Sequence, residues 1–86
     1  MNDILLFRRE ILVQLDVAYP VSVAIDTISI GLELSGFSFS QEELLASLYY
    51  LVEKGLVELH TSKISAKHRR AKLSVSGKEY IESGDF

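Results

Sequence analysis

The sequence predicts a small α+β domain, mostly helical, closed by one β-hairpin. Three observations lead there. Apolar residues recur at helical spacing in four stretches, most of them bounded by a capping or stop residue. After Gly55 the pattern shifts to short alternating runs on either side of a polar, basic loop. The chain has 86 residues, of which 48% are apolar and none is cysteine, enough for one core without covalent staples. One domain spanning residues 1–86 is the expectation, with no room for a two-domain enzyme.

The first helix, about residues 3–18, rests on Ile4, Phe7, Ile11 and Leu15, flanked by Leu5 and Leu12. Tyr19 and Pro20 end it, because the residue before a proline is pushed out of the helical region. On its back, Leu6, Val13 and Val17 form a second apolar stripe. One small core cannot cover both faces, so this stripe suggests a homodimer interface, the other reading being a helix packed on two sides by its own chain.

Residues 21–34 satisfy two periodicities. As strands, Val21, Val23 and Ile25 alternate, then Ile28, Ile30, Leu32 and Leu34, and the β-branched content favours that reading. As a helix, Val21, Ile25, Ile28 and Leu32 face inward while Ser22, Asp26, Ser29 and Glu33 face outward. Asp26 and Thr27 lack the glycine or asparagine that a tight hairpin needs, so a second helix over 21–34 is expected.

Gly36 closes that helix, and Phe37 and Phe39 are expected in the core. The third helix, 41–54, has the plainest signals. Ser40 and Glu43 make a capping box, Leu44, Leu45, Leu48, Leu51 and Val52 supply the apolar face, and Gly55 stops it. A hairpin over about 56–73 follows, with strands near 56–60 and 70–73, and Ser74 caps a fourth helix over 75–82 that Gly84 ends.

Charge is unevenly spread. Residues 1–53 hold two basic against eight acidic side chains, a balance of −6. Residues 54–78 hold seven basic against one acidic, a balance of +6. An anionic partner is therefore expected at the hairpin.

The chemistry of catalysis is not visible. Without cysteine there is no thiolate zinc site and no thiol nucleophile, which fits a reducing cytoplasm. His60 and His68 could face each other across the hairpin, but two ligands do not make a metal site. No serine sits in a glycine-flanked elbow, and no glycine-rich phosphate loop is present. A non-enzymatic protein without cofactor or metal is expected. No apolar run approaches the roughly 20 residues of a membrane span and no leader precedes the first helix, so the chain is expected to be soluble and unprocessed.

Two motifs carry a resemblance. Leu48, Leu51, Gly55, Leu56 and Val57 stand in the pattern L-x-x-L-x-x-x-G-L-V, and Leu73, Ser74, Gly77 and Ile81 in the pattern L-T-x-x-G-x-x-x-I, with serine for the usual threonine. With the helix order upstream, the chain resembles the winged helix-turn-helix family of bacterial regulators, and more narrowly the small single-domain winged-helix proteins of Mu-like phages and prophages. The resemblance implies that the helix from Gln41 to Lys54 enters the DNA major groove and that the hairpin is a wing lying along the phosphates.

On that footing the DNA-contacting wing residues are Lys63, Lys67, His68, Arg69, Arg70 and Lys72. The recognition-helix candidates are Gln41, Glu42, Ser47, Tyr50 and Lys54. This helix has no arginine to grip guanine, and its outward carboxylates are repelled by phosphate. Of Tyr49 and Tyr50, one is expected to pack under the wing and Tyr50 to stay exposed. The sequence thus points to regulatory binding of double-stranded DNA as a homodimer. The acidic third helix and the Leu6, Val13, Val17 stripe leave a second reading open, a winged-helix module that binds another protein.

Overall fold

The computed structural model describes residues 3–61 and 69–84. Helix α1 spans Ile4–Ala18 and starts where the Asp3 carboxylate accepts from the Leu5 and Leu6 amides. Phe7, Ile11, Leu12 and Leu15 face the interior. Tyr19 turns extended before Pro20, as the dipeptide requires.

The next segment differs from the helix expected over 21–34. Val23–Ala24 form a short strand, β1, and helix α2 occupies Ile25–Leu34 only. Val21, assigned inward by the helical pattern, is exposed. Val23, β-branched, and Ala24 find a strand partner far along the chain, Val23 opposite Ala71 and Ala24 opposite Arg70. Those ladder bonds take residues that local periodicity gives to the helix. Beyond them Ile25, Ile28 and Leu32 are buried as the helical spacing requires.

Helices α2 and α3 end alike. After α2, Gly36 takes φ 94°, its amide donates to the Glu33 carbonyl and the Phe37 amide to the Leu32 carbonyl. After α3, which spans Gln41–Glu53, Gly55 takes φ 77°, donating to Val52 while Leu56 donates to Leu51. Both are Schellman closures that need a left-handed residue, which glycine supplies without a Cβ clash. At its start α3 has the reciprocal Ser40 and Glu43 capping box. Phe37 and Phe39 set their rings on Phe7 at 5.4 and 5.2 Å between centroids.

Strands β2 (Val57–Thr61) and β3 (Arg69–Leu73) pair antiparallel, with Val57 opposite Leu73 and Thr61 opposite Arg69. The sheet order is β1-β3-β2, so β3 lies in the middle. Ser74 then caps α4 (Val75–Ser83) through the Gly77 amide, and Gly84 closes it at φ 75°.

The core gathers Phe7, Ile11 and Leu15 of α1, Ile28 and Leu32 of α2, Leu44 and Leu48 of α3, and Leu73 of β3. Two contacts fix the helices around it. The Ser35 hydroxyl donates to the Glu10 carboxylate, and a Cβ at Gly31 would strike the Gln14 side chain, so α2 lies close and antiparallel against α1. Helix α4 is tied to α1 by Lys78 Nζ, 2.6 Å from Asp16 Oδ1. The described residues thus form an α+β fold of four helices and a three-stranded antiparallel sheet. No helix among the described residues is long and apolar enough to cross a membrane.

Candidate nucleic-acid interface

Alternation along β3 sorts its side chains onto two faces. Ala71 and Leu73 are buried, which leaves Arg70 and Lys72 on the outer face. Across the ladder, His60 stands opposite Arg70 and Glu58 opposite Lys72. The His60 Nε2 lies 3.7 Å from the Glu58 carboxylate on the same strand. Among the described residues, the outer face of the hairpin thus sets Arg70, Lys72 and a histidine against one carboxylate.

The arginines already have partners. Arg70 donates from Nε to the Ser22 hydroxyl at 2.8 Å and from Nη2 to the Ser22 carbonyl at 2.7 Å, clamping the approach to β1 onto β3. A guanidinium carries more donors than these two bonds use, and Arg70 remains exposed. Arg69 reaches the other way, donating from Nη1 to the Tyr49 hydroxyl of α3 at 3.3 Å. It joins the distal end of the described hairpin to the middle of that helix. The candidates Lys63, Lys67 and His68 lie outside the described residues, so the pairing of His60 with His68 is not placed.

Helix α3 distributes its candidates differently from the sequence reading. Gln41 and Glu42 are exposed at its start. Ser47 is not available to a groove, being 1% exposed. It lies three residues after Leu44 and four before Leu51, on the buried stripe, and its hydroxyl has no hydrogen-bond partner among the described residues. Tyr50 and Lys54 turn toward α1 instead of joining Glu42. The Arg8 guanidinium sits 3.7 Å above the Tyr50 ring, and Lys54 Nζ lies 5.6 Å from the same ring. Tyr50, expected to be the exposed tyrosine, is 37% exposed against 48% for Tyr49. The cover from Arg8 is the reason. The outward stripe of α3 is therefore Glu42, Ala46, Tyr49 and Glu53, two carboxylates around one tyrosine.

The second apolar stripe of α1 lies open. Leu6, Val13 and Val17 are all exposed, Val17 at 84%. Helix α2 adds Ile30 and Leu34, the latter 83% exposed, beside the antiparallel seam between the two helices. The helical reading of residues 21–34 named only the inward and polar faces and left this pair unassigned. The four-residue step from Ile30 to Leu34, off the Ile28 and Leu32 stripe, is the signal that finds them.

No family model matches the chain, and no curated protein matches it.

Proposed function

We propose that this chain is a winged-helix DNA-binding protein of regulatory type, which works by occupancy and carries out no chemistry. The observation that carries the reading is the hairpin. The chain is net negative, yet residues 54–78 carry a balance of +6, and Arg70 and Lys72 hold the outer face of β3 within that segment. Clustered cations displace counterions from a phosphate backbone, and that gain is independent of base sequence. The order of three helices followed by a hairpin and a short helix agrees with a winged helix-turn-helix, and the Arg69 to Tyr49 bond would hold wing and recognition helix as one unit. The acidic outward stripe of α3 argues for binding dominated by the wing, with little base readout by the helix. Pairing through the α1 and α2 apolar face would give a homodimer with two wings at fixed spacing.

The test is a fluorescence-anisotropy titration against mixed duplex DNA at several salt concentrations. Arg69→Ala with Arg70→Ala, and separately Lys63→Ala with Lys67→Ala, should each lower the slope of log affinity against log salt by roughly two, about 0.9 per lost phosphate contact. An unchanged slope in both pairs overturns the reading. A second reading is favoured by a separate observation, the acidic tyrosine-bearing stripe of α3 together with the open α1 and α2 face. On that reading the protein is an interaction module for another protein, and no duplex DNA binds at physiological salt.

A further inference from the structure

A groove of about 610 Å³ runs between the first half of α1, the end of α3 and α4. Leu12 and Leu51, both buried, form its floor with Leu56. Leu5, 70% exposed, and Tyr80 of α4 stand at its walls. That volume falls within the roughly 300–1,000 Å³ of small-ligand sites, and an apolar lining with a few convergent polar groups is their usual composition.

The charged groups here are all cationic. Arg8, Arg9 and Lys54 line the groove and, among the described residues, no carboxylate does. The first 53 residues hold eight acidic side chains and only two basic ones, and both of the basic ones are in this groove. Arg8 and Lys54 both stand near the Tyr50 ring, the guanidinium at 3.7 Å and the ammonium at 5.6 Å from its centroid. An anion at this wall of the groove meets positive charge from both elements. Arg8 is also held ready, since its guanidinium rests on the ring at 3.7 Å while its Nε makes no hydrogen bond among the described residues. A donor left unspent under cover costs free energy that a bound acceptor returns.

We propose that this groove binds a small anionic amphiphile, a carboxylate carried on an apolar chain. The head lies at the wall lined by Arg8 and Lys54 beside Tyr50, and the chain follows Leu12, Leu51 and Leu56 toward Tyr80. Charge complementarity selects the carboxylate, and the apolar floor selects the chain. The groove does not include Arg70 or Lys72 of the hairpin's outer face, so the proposal does not rest on the wing reading.

The experiment is a calorimetric titration of the full chain with dodecanoate below its aggregation concentration, beside 1-dodecanol and dodecyltrimethylammonium. Amide chemical shifts are followed in parallel. Dodecanoate should saturate at one per chain and shift Leu12, Tyr50, Leu56 and Tyr80 while leaving β2 and β3 in place. The neutral and cationic chains should bind at least about tenfold more weakly, the worth of one charge-assisted contact. Arg8→Gln and Lys54→Gln should each weaken dodecanoate by about tenfold. Lys54 caps α3 at its exposed end, so its variant decides the matter if Arg8→Gln fails to fold. Equal binding of dodecanol, several ligands per chain, shifts outside the groove, or unchanged affinity in Lys54→Gln overturns the proposal. Displacement of dodecanoate by a DNA duplex does so too, because it assigns these cations to phosphate.

Discussion

Replacing Ser47 with alanine should make the protein more stable. The hydroxyl is buried on the inner stripe of α3 and has no hydrogen-bond partner among the described residues. A desolvated, unsatisfied hydroxyl costs about 1–3 kcal/mol, which Ser47→Ala removes. Alanine is also the better helix former, by roughly half a kcal/mol in a helix interior. Against this stand the dispersion contacts of one oxygen atom, each about 0.1–0.2 kcal/mol. The net expectation is a gain of about 1–2 kcal/mol. For a domain of this size each kcal/mol moves Tm by about 4–8 °C, so Tm should rise by roughly 4–16 °C in a circular-dichroism melt. DNA affinity, measured in parallel, should not change, because a side chain this deep touches no ligand. A fall in Tm would show that the hydroxyl has a partner or fills a needed volume. A fall in affinity at unchanged stability would return Ser47 to the reading face.

Three further outcomes follow from the packing. Gly77→Ala, which in an ordinary helix interior gains about 0.8–1.0 kcal/mol, should instead lose about 1–3 kcal/mol here, because its Cβ collides with the backbone carbonyl of Leu56; a raised Tm would refute the close seating of α4. Lys78 has its pKa raised above the usual 10.5, chiefly by the hydrogen bond to Asp16. The pair's contribution is therefore whole below the ordinary value and lost as pH rises through the raised one, so Lys78→Met should lower Tm evenly from pH 6 to 9 and converge on the wild type in stronger alkali. Val13→Glu should turn a sedimenting dimer into a folded monomer, and a wild type already monomeric at high micromolar concentration removes the dimer from the proposal.

The parts of the fold legible in the sequence are those fixed within a few residues. Helix α3 announces itself through Ser40, Glu43 and Gly55, because capping box and Schellman closure are local hydrogen-bond patterns. The same holds for Ser74 and Gly84 around α4. Gly77, in the sequence only a letter in a motif, has a physical role once α4 is seen seated on the Leu56 carbonyl. The start of α2 was not legible, since the partners of Val23 and Ala24 are Ala71 and Arg70, far along the chain. The candidate site divides in the same way. Arg70 and Lys72 sharing a face follows from alternation, whereas Arg70 holding Ser22 and Arg8 covering Tyr50 are contacts between distant segments with no local signal. Ser47 is the instructive case, because its spacing from Leu44 and Leu51 already placed it inward while its polarity suggested outward.

Helix α2 begins at Ile25 directly after Ala24, and Ala24 offers no side-chain cap. What holds the first turn in its place is the pairing of Val23 and Ala24 with β3 and the grip of Arg70 on Ser22. Strand β3 thus joins the hairpin to the first turn of α2. A phosphate that draws Arg70 outward competes with Ser22 for the same guanidinium, and the load arrives at a helix that carries Ile30 and Leu34 on the open apolar face. Occupancy of the hairpin and self-association of the helices would then be mechanically coupled, with amide exchange in residues 25–28 reporting on both.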